Sequence, residues 1–476
     1  MKKNFLIAVA AMVTTFFVAT AIAQAADVKF GGEFWTRYEV QEQHDFNADT
    51  TADDYVQSRI RLNANVDVND SVSAFISMQS NNTWGMTGPS VVGNNSNPAG
   101  EGNRSYTVNN QDTSVGINEA YFTLKNFAGA PVDLKVGTQQ ILLDGWRLFG
   151  NTIWTMGQQT HDATMLTHKH DNLTMKYSWI IASEDGAPTG ANDDDKNDIE
   201  SHLFWANYAG ILGGKLSVYG NLLFDRCGSS SNNHANCTHL ANDTYTAGLR
   251  QAGKLFGIDY RAEYYHQWGD ATGLRSAALG AGTAGNHVDR EAYMFGARLG
   301  KTFNNVSMKP NLTVWYDYYS GTSDKDARGD EYGGFNTLFD TGHKFLGLMD
   351  LYLAQGGNSA AGGTRGLGIQ DLALKTKINP IPGWTLKAHF HWFHTAESIS
   401  ANNLQAGNGA GVAGVSNSLG TELDLILLHK LNANTKMNIG YSQYATSAGL
   451  RAIRTNVGSE ANANWAYVQF QEIGRA

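Results

Sequence analysis

From Val56 to Val68 the chain alternates strictly. Val56, Ile60, Leu62, Ala64, Val66 and Val68 share one parity, and Arg59, Arg61, Asn63, Asn65 and Asp67 share the other. Successive side chains of an extended strand point to opposite faces, so this stretch reads as a strand with one apolar and one polar face. The same period sets Leu134, Val136 and Thr138 against Asp133, Lys135 and Gln139. It sets Leu386, Ala388, Phe390 and Trp392 against Lys387, His389 and His391, and Met437, Ile439 and Tyr441 against Lys436, Asn438 and Ser442. About eighteen such segments are predicted, from 27–41 and 54–68 at one end to 434–446 and 463–472 at the other.

The connections add independent information. Short ones, such as Asn69-Asp70, Phe303-Asn304-Asn305, Asn379 to Gly383 and Leu431 to Asn434, alternate with long ones at 85–112, 184–198, 269–288, 321–366, 398–417 and 447–462. Outer-membrane barrels have short periplasmic turns, long extracellular loops and an even number of antiparallel strands. The fold predicted is therefore an all-β, transmembrane antiparallel β-barrel of about eighteen strands, with both termini on the periplasmic side. A soluble sandwich or propeller also alternates. Neither needs long connections to alternate with short ones, and a propeller's repeat of about 40 residues is not seen in the sequence.

In hydrocarbon every backbone group must pair within the protein, which closes the barrel. The apolar face then meets lipid and the polar face lines the lumen. Phe34, Tyr38, Tyr245, Tyr293, Tyr318, Trp392 and Tyr441 fall on the outward parity as candidates for interfacial girdles. A barrel this wide is expected to hold an aqueous channel narrowed by loops.

The N-terminus explains how such a chain reaches that membrane. Lys2 and Lys3 precede an apolar run from Phe5 to Phe17, and small residues follow at Ala21, Ala23 and Ala25. This is the pattern of a cleaved secretory signal peptide, expected to be residues 1–25, with the barrel at 26–476. The run is too short for a comfortable helical anchor. The chain carries a formal charge of −9, and removing Lys2 and Lys3 gives −9 − 2 = −11. That balance argues against a nucleic-acid partner, which needs a basic footprint. Export also implies an oxidising compartment, so Cys227 and Cys237, in a Gly/Ser/Asn-rich segment, are expected to form a disulfide. A metal site with the nearby His234 and His239 is the alternative, but the spacing matches no standard zinc pattern.

Four stretches taken together resemble the alginate export family of outer-membrane barrels. The first runs from Val136 to Gln140, continues through Asp144-Gly145-Trp146-Arg147-Leu148-Phe149-Gly150-Asn151, and ends with Trp154 and Asp162. The second is Tyr260-Arg261-Ala262-Glu263-Tyr264-Tyr265 with Gln267. Tyr318 to Gly321 with Asp324, then Phe339 to Gly347 with Met349-Asp350, make the third and most specific. Leu419 to Asp424 is the fourth. They span roughly residues 115–470 in order. The resemblance implies an eighteen-stranded barrel and passive passage, in the family's named member, of an anionic polysaccharide. It also places the loop carrying Arg147 after the fifth strand. Barrels of this type usually finish on an aromatic residue. Here the best candidate is Phe470, with six residues beyond it.

Lumen-facing bases by parity include Arg37, Arg59, Arg61, Arg250, Arg261 and Arg298, and Glu263 is among the acids. With Arg147 these are the expected pore-lining residues. Rings of Arg and Lys make anion-selective pores, but such charges also pair across strands and brace the wall. His389, His391 and His394 form a histidine cluster with no nucleophile at a useful spacing, so no enzyme activity is expected. Asp193 to Asp195, and Asp324, Asp326 and Asp330, read as solvated loop acids rather than a Ca²⁺ loop. No cofactor and no metal is expected. The expected partners are outer-membrane lipid, the barrel-assembly machinery and a polar or anionic solute or polysaccharide, and the sequence does not choose between monomer and trimer. The function expected is a porin-like channel of the Gram-negative outer membrane. The alternatives are a general porin for small polar solutes and a surface adhesin or receptor barrel.

Overall fold

The structure, a computed structural model, describes residues 27–43, 52–84, 115–183, 198–225, 242–271, 287–352, 363–400, 415–454 and 462–475. The expected signal peptide and the Cys227–Cys237 disulfide lie outside these residues.

Nineteen strands form one sheet. The first nine are β1 (Asp27–Glu42), β2 (Asp53–Asn69), β3 (Val72–Thr83), β4 (Val115–Leu124), β5 (Val132–Gln139), β6 (His161–His170), β7 (Leu173–Ser183), β8 (Ile199–Ala209) and β9 (Gly214–Asp225). Next come β10 (Thr244–Leu255), β11 (Ile258–Asp270), β12 (Asp289–Thr302), β13 (Asn311–Tyr319) and the two-residue β14 (Glu331–Tyr332). The last five are β15 (Ile369–Ile378), β16 (Trp384–His394), β17 (Ser418–Lys430), β18 (Thr435–Thr446) and β19 (Ala463–Arg475). β14 is a loop strand lying parallel to β12. The other eighteen make an antiparallel barrel, closed where β1 pairs with β19 from Gly31↔Arg475 to Glu42↔Asn464.

The alternation sets the faces as read from the sequence. On β2, Ile60 and Leu62 are exposed to the outside while Arg59 and Arg61 are buried within. Phe34, Tyr38, Tyr293, Trp392 and Tyr441 point outward and are exposed, whereas Tyr245 and Tyr318 are half-buried because they pack on neighbouring rings of Trp268 and Phe295. Short turns are closed by asparagine side chains that replace missing backbone partners. Asn69 Oδ1 accepts from the Ser71 and Val72 amides at 2.9 Å, and Asn432 Oδ1 does the same for Asn434 and Thr435 at 2.8 Å. Among the described residues no helix is long and apolar enough to cross a membrane; crossing is done by strands.

One expectation needs correction. The inward face is not polar along its whole height. Toward the long-loop end Met165, Ile180, Leu203, Ala292, Met294 and Phe393 are buried inside the barrel. Their partners come from two long connections, the described parts of which, 140–160, 320–352 and 363–368, fold into the lumen and bring Leu148, Phe149, Phe335, Phe345 and Met349 with them. The barrel therefore has a dry core in its upper lumen. Period-two reading misses this because an inward apolar residue looks like a break in the pattern when its partner lies in a distant loop.

Candidate functional site

The two inserted loops are joined to each other before they are joined to the wall. The Phe149 and Phe339 segments form a parallel bridge, with Gly150 N donating to Phe339 O at 2.8 Å and Phe339 N to Leu148 O at 2.9 Å. Thr341 N donates to Trp146 O at 3.0 Å. Asp144 and Trp146 adopt left-handed backbone (φ 47° and 70°), which turns the first loop sharply into the lumen.

Arginines then fasten this plug. Arg147 lies at its centre, 2% exposed. Its guanidinium donates to both oxygens of Asp317 (2.9 and 2.8 Å) and to Glu263 (3.1 Å), and also reaches the Tyr319 hydroxyl. Phe345 covers its face at 3.7 Å. This is the planar, bidentate geometry for which arginine is suited. The carboxylate that Arg147 grips belongs to the protein's own wall. Arg37 and Arg59 clamp the same loop from the other side, donating to the carbonyls of Trp154 (2.9 Å) and Thr155 (3.2 Å). Both are ion-paired, Arg37 with Glu39 at 2.6 Å and Arg59 with Glu33 at 2.9 Å. Arg61 shares Glu33 at 3.0 Å and bonds Gln79, which in turn holds Gly157 O at 2.9 Å. Asp144 at the loop tip accepts from Trp205 (3.0 Å), Ser217 (2.9 Å) and Tyr219.

Below the plug, toward the short turns, lies a different arrangement. Arg250, Arg261 and Arg298 sit on three consecutive strands, with Arg261 and Arg298 directly opposite in register. Arg250 approaches Asp144 at 3.4 Å and Glu263 at 3.6 Å, and Arg261 approaches Glu263 at 3.3 Å and Asp317 at 3.8 Å. Trp315 is a shared platform, with Arg261, Arg298 and Lys375 over its ring at 4.3, 5.4 and 4.4 Å. From the second loop Lys344 completes the group, donating to Gly145 O at 3.1 Å. Its side chain is exposed to the lumen yet enclosed by the barrel. That burial, with Arg261, Arg147, Arg298 and Arg250 around it, pushes its pKa down to about 8. Among the described residues neither Arg298 nor Lys344 has a carboxylate within 4.0 Å. Arg298 also opens onto a cavity of about 550 Å³ shared with Lys254, Asp259, Tyr260, Asn311 and Thr313.

The expected pore residues thus divide into two groups. Arg37, Arg59, Arg61 and Arg147 are tied to the inserted loop, while Arg250, Arg261, Glu263 and Arg298 form the wall of the basic zone. Sequence reading did not single out Lys344 or Trp315. Lys344 stands inside the stretch Phe339 to Gly347, part of the most specific of the four family-like stretches, and that was the available signal. The loop acids Asp324 and Asp326 have local work: Asp326 and Ser323 form a reciprocal cap on the short helix Asp324–Arg328, and Ser400 bonds Asp324 at 2.6 Å.

A closed eighteen-strand barrel with a lipid-facing apolar surface and a charged, loop-narrowed lumen defines an outer-membrane, porin-like channel for polar solutes or polysaccharide. Residues 26–466 match the Alginate export family, and the chain belongs to it. No curated protein sequence matches the chain. Among solved structures it resembles Pseudomonas aeruginosa OccK8 (OprE), with a TM-score of 0.57 at 10% identity, covering 94% of this chain and 98% of that one. OccK9 (OpdG) from the same organism gives 0.56 at 10% identity, covering 94% and 99%. OccK2 (OpdF), crystallised in complex with glucuronate, gives 0.54 at 10% identity, covering 95% and 99%. At such identities the likeness is one of fold.

Proposed function

We propose that the channel conducts anionic solutes, sugar acids or their polymers, through the basic zone below the plug. The observation that carries this reading is the group of lumen bases with no carboxylate within 4.0 Å among the described residues, Arg298, Lys344 and Lys375, beside Arg250 and Arg261, with Arg261, Arg298 and Lys375 over one tryptophan. A carboxylate entering the zone meets donors that no wall acid fully occupies, and a sugar ring can lie against Trp315. The glucuronate held by the similarly folded OccK2 is a solute of this class. Passage is diffusive and uses no cofactor. The proposed precursor carries residues 1–25 as a leader removed on export, consistent with a family match that begins at residue 26. Residues 26–476 are then inserted by the barrel-assembly machinery.

The test is single-channel current in a planar bilayer with added oligouronate. Oligouronates are expected to produce transient blocks at concentrations where neutral oligosaccharides of the same length produce few, and Arg298→Glu is expected to shorten or abolish them. Equal blocking by charged and neutral oligomers would favour the general porin reading.

A further inference from the structure

On the lumen face of β16 and β17, beside the basic zone, three side chains converge. The register puts His389 directly opposite Asp424, and His391 two residues further along the same face. One ligand atom from each of His389, His391 and Asp424 lies within 4.8 Å of the others. His389 Nδ1, His391 Nε2 and Asp424 Oδ2 are buried and make no hydrogen bond among the described residues. The His391 and Asp424 side chains are 0% exposed.

The remaining polar atoms of the two buried residues are held from behind. His391 Nδ1 faces both oxygens of Asp371 at 3.0 and 2.8 Å, and Ser442 Oγ donates to Asp424 Oδ1 at 2.6 Å. In the neutral ring, a carboxylate on Nδ1 places the proton there and leaves the Nε2 lone pair free. That lone pair then faces the Asp424 oxygen at 3.8 Å, acceptor against acceptor, with a second imidazole nitrogen beside them. Buried acceptors converging in this way are unfavourable unless a donor or a cation sits between them. A carboxylate behind a histidine that presents its other nitrogen is also the usual outer support of a metal-bound histidine.

Other neighbours fit this arrangement. Lys375 stands opposite His389 in register; its ammonium lies over the Trp315 ring at 4.4 Å and also interacts electrostatically with Asp371 and Asp424. Glu422, two residues before Asp424, uses Oε1 to accept the Leu348 and Met349 amides of the plug at 2.6 and 3.0 Å. Its Oε2 is buried without a hydrogen bond among the described residues. The set is thus two imidazoles and a carboxylate, backed by Asp371 and Ser442.

We propose that His389, His391 and Asp424 bind a divalent transition-metal ion of the zinc class on the lumen wall. Imidazole nitrogen favours zinc, copper, nickel or iron over Ca²⁺ and Mg²⁺, which take oxygen ligands. Tetrahedral zinc ligands stand about 3.4 Å apart given bond lengths near 2.0–2.1 Å, so the 3.8 Å pair closes with a shift of a few tenths of an ångström, and the half-buried His389 ring, within 4.8 Å of the other two, must swing in by about an ångström. Three protein ligands leave a fourth position for water or a solute.

The test is Co²⁺ titration of the full-length, untagged barrel refolded in detergent, read by visible absorption, with Zn²⁺ as competitor. One saturable equivalent with the intense bands of low-coordinate Co²⁺, displaced by Zn²⁺, is expected. His389→Ala is expected to weaken binding at least tenfold, and Asp371→Asn about 10–100-fold through loss of its support. His343→Ala, on the plug, should bind as wild type does. Heat-modifiable gel mobility reports folding of each variant, and half-buried His389 gives the substitution that perturbs the wall least. Absence of saturable binding in the folded wild type would overturn the proposal. Unchanged Co²⁺ affinity and spectrum in folded His389→Ala would overturn it equally.

Discussion

Lys344 and Arg298 carry their charge differently from the arginines that fasten the plug. Arg37, Arg59, Arg61 and Arg147 each face a carboxylate at 2.6–3.0 Å, so reversing one of them breaks a pair as well as removing a charge. Arg298→Glu removes a charge with no such partner. It should lower anion preference more cleanly than Arg61→Glu, whose effect is mixed with the release of Glu33. Lys344 adds a pH signature. Its pKa, pushed down to about 8, means the ammonium is present below that value and lost above it. Anion preference should therefore fall as pH rises from about 7 to 9, over the span in which a pKa near 8 titrates. Lys344→Met should have the lower preference at pH 7 and a flat profile. A wild-type profile flat across this range would remove Lys344 from the conducting zone. The sequence made Arg298 visible by parity. It could not reveal which arginines are neutralised, because sequence spacing does not fix the partner: Arg147 meets Asp317 across the lumen, whereas Arg37 meets Glu39 on its own strand.

At the scale of elements, strands and short turns are legible because their cause is local. Alternation sets the face, and an asparagine at the turn satisfies its own neighbours. The inserted loops are different. Their inward course depends on Arg147 reaching Asp317 and Glu263 across the lumen and on Glu422 accepting amides from the second loop. Removing one partner of a buried ion pair typically costs about 3–5 kcal/mol, because the other charge is left uncompensated. Arg147→Met should thus loosen the plug, raise mean conductance and add open-channel noise while the barrel still folds. Lysine should restore little, since it cannot form the bidentate contact. Quiet channels of wild-type conductance in Arg147→Met would show that the plug is held by its apolar contacts alone. Gly347 gives a separate handle. Its φ of 82° favours glycine, and an added Cβ would collide with the Glu422 carboxylate. Gly347→Ala should displace the second loop and give a similar gain in conductance.

For the whole molecule, closure is the dominant fact. Eighteen antiparallel strands with β1 on β19 leave no edge, so the folded chain should fractionate with the outer membrane and run with heat-modifiable mobility. Recovery as a soluble periplasmic protein would contradict the barrel. The chain is acidic overall, at −9, yet its lumen holds a basic zone. These facts are compatible because charges beyond about 8–10 Å are largely screened at physiological salt. On the proposed reading, loop acids act mainly on capture at the mouth, and the zone around Trp315 governs passage. The most direct measurement is the reversal potential of the wild-type channel across a salt gradient, repeated for Arg298→Glu. The account predicts an anion-selective wild type whose reversal potential moves toward cation selectivity in the variant. A clearly cation-selective wild type, or an Arg298→Glu channel with unchanged reversal potential, would contradict it.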